Sequence, residues 1–563
     1  MQLNVAKVAT AFTPLSKENC PMRLLLAASA VALLVATPAA AQSAASGGGD
    51  KDKGKSVAEL HGEDLAKQAA SAWAGAPVEE RTVSTRHTVV ADGRTLPYTA
   101  TAGTLTIRDS DGKPTASIFY TADTVDGVPS SRRPVTFFYN GGPGSSSLWL
   151  RMGSFGPTRV QTTNAQYIKP APFSFGANPD TLLGTSDVVF IDAPGTGYSR
   201  PLGDSKGSDF YGVDQDADAF AKAIMRYVTK FDRWGSPKFL FGESYGTTRS
   251  GALAYQLQER GMALNGVILL SSVMNYGRRQ PGLDRDFINY IPSYATTAWY
   301  HHKMANAPAT VEQAAAEART FAEGPYAAAL EKGQTISKAE EDSVAQQMSA
   351  LTGLSPQFIE NADLRVDLSQ FRKELLRDER LTVGRYDSRY TGVDPNASGD
   401  APDFDASESA VSGAFIGMLQ SYLASDLGYR TDMPYRPNVY SASDFKWDFS
   451  HKAPGVRFTL SAPNTALDLA AAMRTNPYLK VLSLNGYYDM ATPFFGTEYD
   501  LDHMMLDPAQ ARNLEFRYYP SGHMVYLNPD ALHSMRLDVE RFIRDSVGEA
   551  MYAAPPATPR KRR

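Results

Sequence analysis

The stretch KFLFGESYGTT at residues 238–248 is the part of the sequence that decides the fold. Residues 238–241 are an apolar run of the kind that forms a buried strand, and residues 247–260 continue with an amphipathic helical pattern. Between them lies Gly-x-Ser-x-Gly, in which the glycines allow a sharp turn that lifts the serine hydroxyl out of the sheet. This arrangement predicts Ser244 as a nucleophile.

A second match to the same pattern occurs at Gly203, Ser205 and Gly207. It lies in a loop rich in proline, glycine and serine, with neither an apolar strand before it nor an amphipathic helix after it. A nucleophile turn of this kind needs both neighbours. We therefore expect Ser244, and not Ser205, to react.

Strand patterns around this stretch change character along the chain. Three β-rich runs come first, separated by Asp92-Gly93 and Asp111-Gly112, and these dipeptides predict antiparallel hairpins. Helical stretches then alternate with apolar runs, which indicates an α/β class protein with a doubly wound, mostly parallel sheet. The predicted parallel strands are residues 134–139, 187–191, 238–241, 266–271 and 478–484.

The order serine, acid, histidine along the chain is typical of the α/β-hydrolase fold, in which the acid and the histidine follow late strands. Asp489 comes directly after one apolar strand, and His523 comes after the last predicted strand. Asp500 and Asp502 lie in a helical pattern, where we expect solvated carboxylates. Asp489 and His523 are therefore predicted to complete a catalytic triad with Ser244.

A glycine-rich loop, NGGPG at residues 140–144, follows the strand at 134–139. Glycines there let backbone N–H groups face a developing oxyanion. A phosphate-binding loop is the alternative, but no Gly-Lys-Ser or Gly-Lys-Thr follows. A loop at 192–197 also follows a strand, yet it lacks the third glycine of a dinucleotide-binding turn. The sequence therefore favours an oxyanion loop over a nucleotide site.

Five ordered motifs together resemble the serine carboxypeptidase family over about residues 135–525. They are NGGPGSSS at 140–147, DAPGTGYS at 192–199, GESYG at 242–246, NGYYD at 485–489 and GHMV at 522–525. The resemblance implies a serine-type carboxypeptidase that acts on peptides with a free C-terminal carboxylate. It implies that Gly142 and Tyr245 provide the oxyanion-hole amides, and that Asn140 and Glu243 bind the terminal carboxylate. It implies no metal and no organic cofactor.

The chain departs from the family pattern at three places near this site. Ser145 stands where the family has a cysteine, and Phe138 stands where it has a tryptophan. Ser154 stands where an acidic residue is often found. The resemblance therefore implies a thinner network around the terminal carboxylate.

Two other functions remain open at this point, because fold and triad alone do not choose a substrate. One is an exported esterase or acyltransferase that uses the same triad. Glu243 argues against this function, since an esterase needs no carboxyl group aimed at a second carboxylate. The other is a non-catalytic binding protein with a hydrolase fold, against which the complete triad argues.

The N-terminus has the pattern of a signal peptide. Arg23 precedes an apolar run at 24–35, about twelve residues and shorter than the roughly twenty that a membrane-spanning helix needs. Small residues end the segment at Ala41, and Met22 is an alternative start. We expect a protein exported to a bacterial periplasm, with no stable membrane insertion after the signal is removed.

The composition, with 43% hydrophobic and 21% charged residues, is that of an ordinary globular protein. The net charge of −5 argues against a nucleic-acid partner. The only cysteine, Cys20, lies in the predicted signal peptide, so the mature chain should contain no disulfide. The sequence does not decide the oligomeric state.

The predicted domain plan places a mostly helical cap inside the hydrolase core. About two hundred residues separate the strand at 266–271 from the strand at 478–484, and helical patterns fill much of this insertion. We expect a signal peptide over 1–41, a linker and N-terminal helix over 42–80, core over 81–275, cap over 276–470, core over 471–549 and a basic disordered tail over 550–563.

Overall fold

A ten-stranded mixed sheet runs through the part of the chain that the computed structural model describes, residues 76–548 and 551–552. The predicted signal peptide, nearly all of the predicted linker and N-terminal helix, and most of the basic tail lie outside the described residues. The strands are β1 (Thr82–Ala91), β2 (Arg94–Arg108), β3 (Pro114–Val125), β4 (Val135–Tyr139), β5 (Thr158–Val160), β6 (Phe175–Ala177), β7 (Asp187–Ile191), β8 (Arg200–Pro201), β9 (Lys238–Glu243), β10 (Gly266–Leu270), β11 (Leu381–Val383), β12 (Thr391–Val393), β13 (Lys480–Gly486) and β14 (Leu514–Tyr519).

The sheet has the strand order β1-β2-β3-β7-β4-β9-β10-β13-β14, and β8 pairs with β3. The pairs from β1 to β7 are antiparallel, whereas the pairs from β7 to β14 are parallel. The predicted change from hairpins to parallel strands is therefore confirmed. Two-stranded sheets β5–β6 and β11–β12 stand apart from the main sheet.

The first hairpin turns where the sequence indicates. Asp92 and Gly93 both have positive φ, 50° and 72°. Two consecutive left-handed residues match the twist of the flanking strands, and Asp-Gly is a favoured pair for this turn. The second hairpin likewise has Gly112 at φ 80°.

Fifteen α-helices are described, and several of those outside the cap pack in the two core clusters of the sheet. They are α1 (Leu148–Gly153), α2 (Val213–Lys230), α3 (Tyr245–Glu259), α4 (Arg285–Tyr300), α5 (Val311–Phe321), α6 (Ala327–Glu331), α7 (Lys338–Thr352), α8 (Pro356–Asn361), α9 (Leu368–Glu374), α10 (Ala406–Ser409), α11 (Ser412–Ser421), α12 (Ala466–Thr475), α13 (Phe494–Asp502), α14 (Pro508–Ala511) and α15 (Pro529–Val547).

The central strands are buried on both faces, which explains their continuous apolar sequence. Every residue of β4, β7, β9 and β10 is buried. Because side chains alternate along a strand, Phe137 belongs to the core cluster that includes α2 and α3, whereas Phe138 belongs to the cluster that includes α15. Phe138 stacks on Phe241 of the neighbouring strand, with ring centroids 4.7 Å apart.

The insertion between β10 and β13 contains α4 to α12, as predicted for a helical cap, and α12 packs into a core cluster. Its helices share an apolar cluster with residues that follow β13, including Tyr487 and Phe494. After the cap helices the chain runs along loops of the core. There Arg436 forms an isolated β-bridge with Gly197, and Asn438 forms one with Ser145. Cap and core therefore share one continuous packing arrangement.

His451 ties the returning chain to two core helices. Its Nδ1 lies 2.6 Å from Asp214 of α2, and its Nε2 lies 2.8 Å from Asp468 of α12. Burial opposes the charged ring, but the two carboxylates outweigh it and raise the pKa of His451 to about 9. His451 is therefore a charged structural link and not a candidate base. Within the described residues, no helix is both long and apolar enough to cross a membrane.

Candidate active site

Four predicted site residues follow the carboxyl ends of parallel strands. Asn140 follows β4, Ser244 follows β9, Asp489 comes three residues after β13, and His523 comes four residues after β14. Strands in parallel register end at one edge of the sheet, where α/β proteins place their ligand sites. The fold thus brings together side chains that are far apart in the sequence.

Ser244 lies in a strained turn between β9 and α3. Its φ is 62° and its ψ is −131°, a combination that non-glycine residues rarely adopt. The turn is held by hydrogen bonds from Ser244 N to Leu270 O at 3.0 Å and from Thr247 N to Ser244 O at 2.8 Å. This geometry is that of a nucleophile elbow.

The glycines on either side of Ser244 are required by close backbone contacts. A Cβ atom on Gly242 would lie 2.3 Å from Gly246 O, and one on Gly246 would lie 2.8 Å from Tyr139 O. The strand, the elbow and the first turn of α3 therefore pack without room for side chains at these two positions.

Asp489 and His523 form a buried acid–base pair. Asp489 Oδ2 lies 2.8 Å from His523 Nδ1, and its Oδ1 accepts from the backbone N–H groups of Ala491 and Thr492 at 2.8 and 2.9 Å. Burial disfavours the imidazolium, yet the Asp489 carboxylate outweighs it and raises the pKa of His523. Because Nδ1 is engaged, Nε2 is the nitrogen that can take a proton from a nucleophile.

The Thr492 hydroxyl also bonds to the acid of this pair, and the sequence analysis did not identify it. It lies 2.7 Å from Asp489 Oδ2 and 2.9 Å from Ser271 O. Its position three residues after the acid was the one available signal. The hydroxyl links the acid to the end of β10 and so fixes the carboxylate orientation.

The glycine-rich loop lies directly on the elbow. A Cβ atom on Gly141 would be 2.4 Å from Tyr245 N and 2.6 Å from Gly246 N. Gly142 has φ 110°, and both Gly142 and Tyr245 line the cavity that contains Ser244. The predicted oxyanion residues are thus next to the predicted nucleophile.

Glu243 is a buried carboxyl group beside the nucleophile, with 3% of its surface exposed. The Tyr526 hydroxyl donates to its Oε2 at 3.0 Å, and the neighbouring Asn140 side chain favours the charged form of the carboxyl group. Asn140 Oδ1 accepts from Leu150 N at 3.0 Å, which leaves its amide N–H groups to donate. Burial is the main influence on Glu243 and raises its pKa to about 7.

One sequence expectation about acidic groups is wrong. Asp500 is not solvated: it is buried, bonds to Arg278 Nε at 3.0 Å and accepts from Met274 N at 3.2 Å. The hydroxyl of Ser154 donates to Leu150 O at 2.6 Å. The Tyr526 hydroxyl is a hydrogen-bond donor to Glu243 that the sequence analysis did not identify.

A cap segment, Arg385–Arg389, passes along the acid loop. Met490 N donates to Arg385 O at 3.1 Å, and Ser388 N donates to Tyr488 O at 3.0 Å. These two hydrogen bonds hold both neighbours of Asp489. The cap therefore takes part in shaping the core loop that carries the predicted acid.

The same segment holds the base loop. His523 N donates to Tyr386 O at 2.6 Å, and the rings of these residues lie 5.3 Å apart. A Cβ atom on Gly522 would be 2.4 Å from both Tyr386 O and Asp387 Cβ. The glycine before the histidine is thus explained by the cap segment. Sequence reasoning missed this contact, since no local signal links residues 386 and 522.

Ser244 and His523 share a cavity of about 270 Å³. Its core wall includes Asn140 and Glu243, and its cap wall includes Arg385 and Tyr386. Ser205 is not among the lining residues. The arrangement can support acyl transfer: an activated serine, a base oriented by an acid, nearby amides and a carboxyl group suited to a second polar group.

Comparison with known proteins agrees with the geometry. The model of the family described as serine carboxypeptidase matches residues 93–376, half of the chain. This range contains the elbow and the glycine-rich loop, whereas Asp489 and His523 lie beyond it.

Curated relatives match over shorter parts. Serine carboxypeptidase S10 family member 1 of Dictyostelium discoideum is 23% identical over 168 residues, 30% of this chain and 38% of the relative. Carboxypeptidase Y of Schizosaccharomyces pombe is 30% identical over 134 residues, 23% of this chain and 12% of the relative. The chain thus matches less than two fifths of either relative's length.

A similar solved structure is a prohormone-processing carboxypeptidase from Saccharomyces cerevisiae, at 15% identity and a TM-score of 0.47, covering 79% of this chain and 91% of that one. A proline iminopeptidase from Mycobacterium smegmatis is similar at 14% identity and a TM-score of 0.33, covering 79% of this chain and 98% of that one. With the sheet order, the site geometry and the match over half its length, the chain belongs to the serine carboxypeptidase family.

Proposed function

We propose that this protein is a serine-type carboxypeptidase that releases C-terminal amino acids from peptides through an acyl-enzyme on Ser244. The observation that carries the proposal is the buried carboxyl group of Glu243 beside the nucleophile, with the Tyr526 hydroxyl bonded to it and Asn140 lining the same cavity. A free C-terminal carboxylate is the group that such a receptor fits, because a shared proton joins two carboxyl groups without charge repulsion.

The mechanism follows from the positions of the triad. Ser244 Oγ attacks the last peptide carbonyl as His523 Nε2 takes its proton, and Asp489 stabilises the imidazolium that forms. Backbone amides of Gly142 and Tyr245 hold the oxyanion. The imidazolium then gives its proton to the leaving amine of the terminal residue. Water, activated by the same histidine, releases the acyl group and restores Ser244.

The pKa of Glu243 makes the proposal testable through pH. Because burial raises that pKa to about 7, Glu243 keeps its proton in mildly acidic solution and loses it as the pH rises through about 7. Two ionised carboxyl groups then repel each other in a buried site. The KM for free-acid peptides should therefore climb from pH 6 to pH 8, whereas the KM for the matching amides or esters should change much less.

Glu243→Gln is the direct test, with Asp204→Asn as the matched control. The amide of glutamine can donate to a carboxylate at any pH, so the KM for free-acid peptides should lose its pH dependence. Asp204 occupies the same place in the second Gly-x-Ser-x-Gly match but is fully exposed on the surface, so its variant should keep the wild-type profile. Parallel KM profiles for free-acid and amidated peptides, with equal cleavage of both, would instead support an esterase or an endopeptidase.

We also propose that the protein is exported to a periplasm after cleavage near Ala41. The apolar run at 24–35 and the small residues before Gln42 support this proposal. N-terminal sequencing of the exported protein should find Gln42 or a close neighbour. A product that keeps residues 24–35 in a membrane fraction would contradict it.

A further inference from the structure

We propose that Arg279 and Arg385 form an anion-binding subsite in the cavity of Ser244, and that this two-arginine subsite selects peptides with an acidic side chain next to the scissile bond. The inference rests on the proposed carboxypeptidase function and names its substrate class. Both arginines line the cavity, and both follow β10, in the insertion. The carboxyl receptor at Glu243 belongs to the core, so a bound peptide would contact two different walls.

Arg385 has donors available for a ligand. Its Nη1 lies 3.5 Å from the Tyr386 hydroxyl, at the limit of a hydrogen bond, and no described carboxylate lies within ion-pair distance of its guanidinium. Its backbone is fixed, because its N–H donates to Asp405 Oδ2 at 2.8 Å. A guanidinium has five N–H donors in a planar fork that matches a carboxylate.

Arg279 is similarly underused. Its Nε and Nη2 are buried and have no hydrogen bond within the described residues. The nearest carboxylate oxygen, Asp286 Oδ1, is 3.7 Å from Nε and already accepts from Arg278 Nη1 at 2.5 Å. Buried donors without acceptors are uncommon in folded proteins. The Arg279 side chain as a whole is 28% exposed and lines the cavity, where a ligand carboxylate would be an acceptor for its guanidinium.

The remaining charges of the cavity do not cancel the two guanidinium groups. Apart from Glu243, the acidic residue among the described lining residues is Glu408, which interacts with the charge of Arg385, so one carboxylate faces two guanidinium groups. Burial holds the pKa of Glu243 near 7, so this group carries little negative charge in mildly acidic solution. The cavity therefore has an excess of positive charge that an acidic side chain would complement.

Arg385 also lies close to the reacting atoms. Its guanidinium is next to Tyr386, whose ring packs 5.3 Å from the imidazole of His523. The charge of Arg385 also acts on His523, so we assign the side chain that binds there to one of the two residues joined by the scissile bond. The structure thus points to selection at the terminal or the penultimate residue.

The test uses four N-blocked tetrapeptides that carry Glu or Gln, isosteric and differing in charge, at the terminal or penultimate position. At pH 6 the wild-type kcat/KM should favour Glu over Gln at one of these positions by about tenfold. Arg385→Gln and Arg279→Gln should each move that ratio toward one, and Arg385→Lys should retain part of it. A ratio within one variant cancels any loss that both peptides share, such as a displaced His523.

Arg457→Gln is the matched control, because it removes the same charge from an exposed residue outside the cavity and should keep the wild-type ratio. A wild-type ratio near one at both positions, or a ratio that neither arginine variant changes, overturns the subsite. Amidated forms of the same peptides separate the two proposals. Equal cleavage of free-acid and amidated peptides rejects the carboxypeptidase function, whereas a normal free-acid requirement without a Glu preference rejects the subsite alone.

Discussion

Two regions of the molecule contain the same five-residue pattern in very different surroundings. Residues 242–246 join a buried parallel strand to a helix, whereas residues 203–207 lie beyond the two-residue strand β8 and lead into a single 3₁₀ turn that begins at Gly207. Glu243 is buried, but Asp204 is exposed and pairs with Lys113 at 2.7 Å. The strand and helix on either side of the pattern therefore decide whether it forms a nucleophile elbow. Each of its five positions can be mutated in both regions, which gives a matched pair of variants.

The largest contrast should come from the two serines. Ser244→Ala should abolish peptide hydrolysis and labelling by a fluorophosphonate, because loss of a triad serine lowers kcat by several orders of magnitude, on the order of a millionfold in a serine protease. Ser205→Ala should leave both unchanged. Mass spectrometry of the labelled protein checks the site, and labelling that persists in Ser244→Ala would contradict the proposed nucleophile.

The second largest contrast should come from the first glycine of each pattern, Gly242 and Gly203, in the free energy of unfolding. Gly242→Ala places a Cβ atom 2.3 Å from Gly246 O, so the elbow must shift, and we expect a loss of about 3 kcal/mol or more in the free energy of unfolding. Gly203→Ala meets only one atom, at 3.9 Å, but keeps φ 62°, which costs about 1 kcal/mol. Denaturant unfolding measures both. Equal losses would mean that the close packing of the elbow is wrong.

The two acidic residues should differ in how stability depends on pH. Glu243 has an ordinary pKa of 4.5, and burial raises it to about 7 in the folded state, so the folded protein binds more protons between these values. Stability therefore falls as the pH rises through this window. Relative to the wild type, Glu243→Gln should gain about 2.5 kcal/mol between pH 5 and pH 8.

Asp204→Asn is the control for that measurement. The hydrogen bond from Lys113 lowers the pKa of Asp204, so its carboxylate is ionised in both states above pH 5. Its unfolding curve should follow the wild type across the window. A Glu243→Gln profile that also follows the wild type would show that Glu243 is ionised in the folded protein.

The smallest effect is expected at the residue after each serine. The hydroxyl of Tyr245 is buried and has no hydrogen-bond partner within the described residues, so Tyr245→Phe should raise the free energy of unfolding by at most about 1 kcal/mol. Lys206→Met, at an exposed residue, should change it by less than about 0.5 kcal/mol. A clear loss in Tyr245→Phe would reveal a hydroxyl partner.

Most of the core could be predicted from the sequence, because the signals are local. Alternating or continuous apolar runs indicate which faces of a strand are buried, and Asp92-Gly93 indicates a hairpin turn. The predicted strand 187–191 has the observed bounds of β7. The elbow, the order of Ser244, Asp489 and His523, and the glycine-rich loop follow from the same reading.

The cap contacts could not be predicted in this way. Tyr386 holds the backbone of His523, and Arg279 and Arg385 line one cavity, although no periodicity or motif relates these positions. Asp500 looked like a surface carboxylate because its helix pattern does not reveal the buried Arg278. Such pairs depend on how helices of the insertion pack against the core, which is set by many apolar contacts at once.

The sequence by itself determined the main strands, their change from antiparallel to parallel pairing, the elbow and the identity of the predicted triad, because each rests on short-range backbone geometry and on burial of nearby side chains. Only the tertiary structure decided the surroundings of that triad: Tyr526 on Glu243, the segment Arg385–Arg389 along the acid and base loops, and the charge of the cavity wall. The physical reason is distance along the chain. Contacts between segments a hundred or more residues apart leave little trace in local patterns, since any residue of suitable size and polarity could make them.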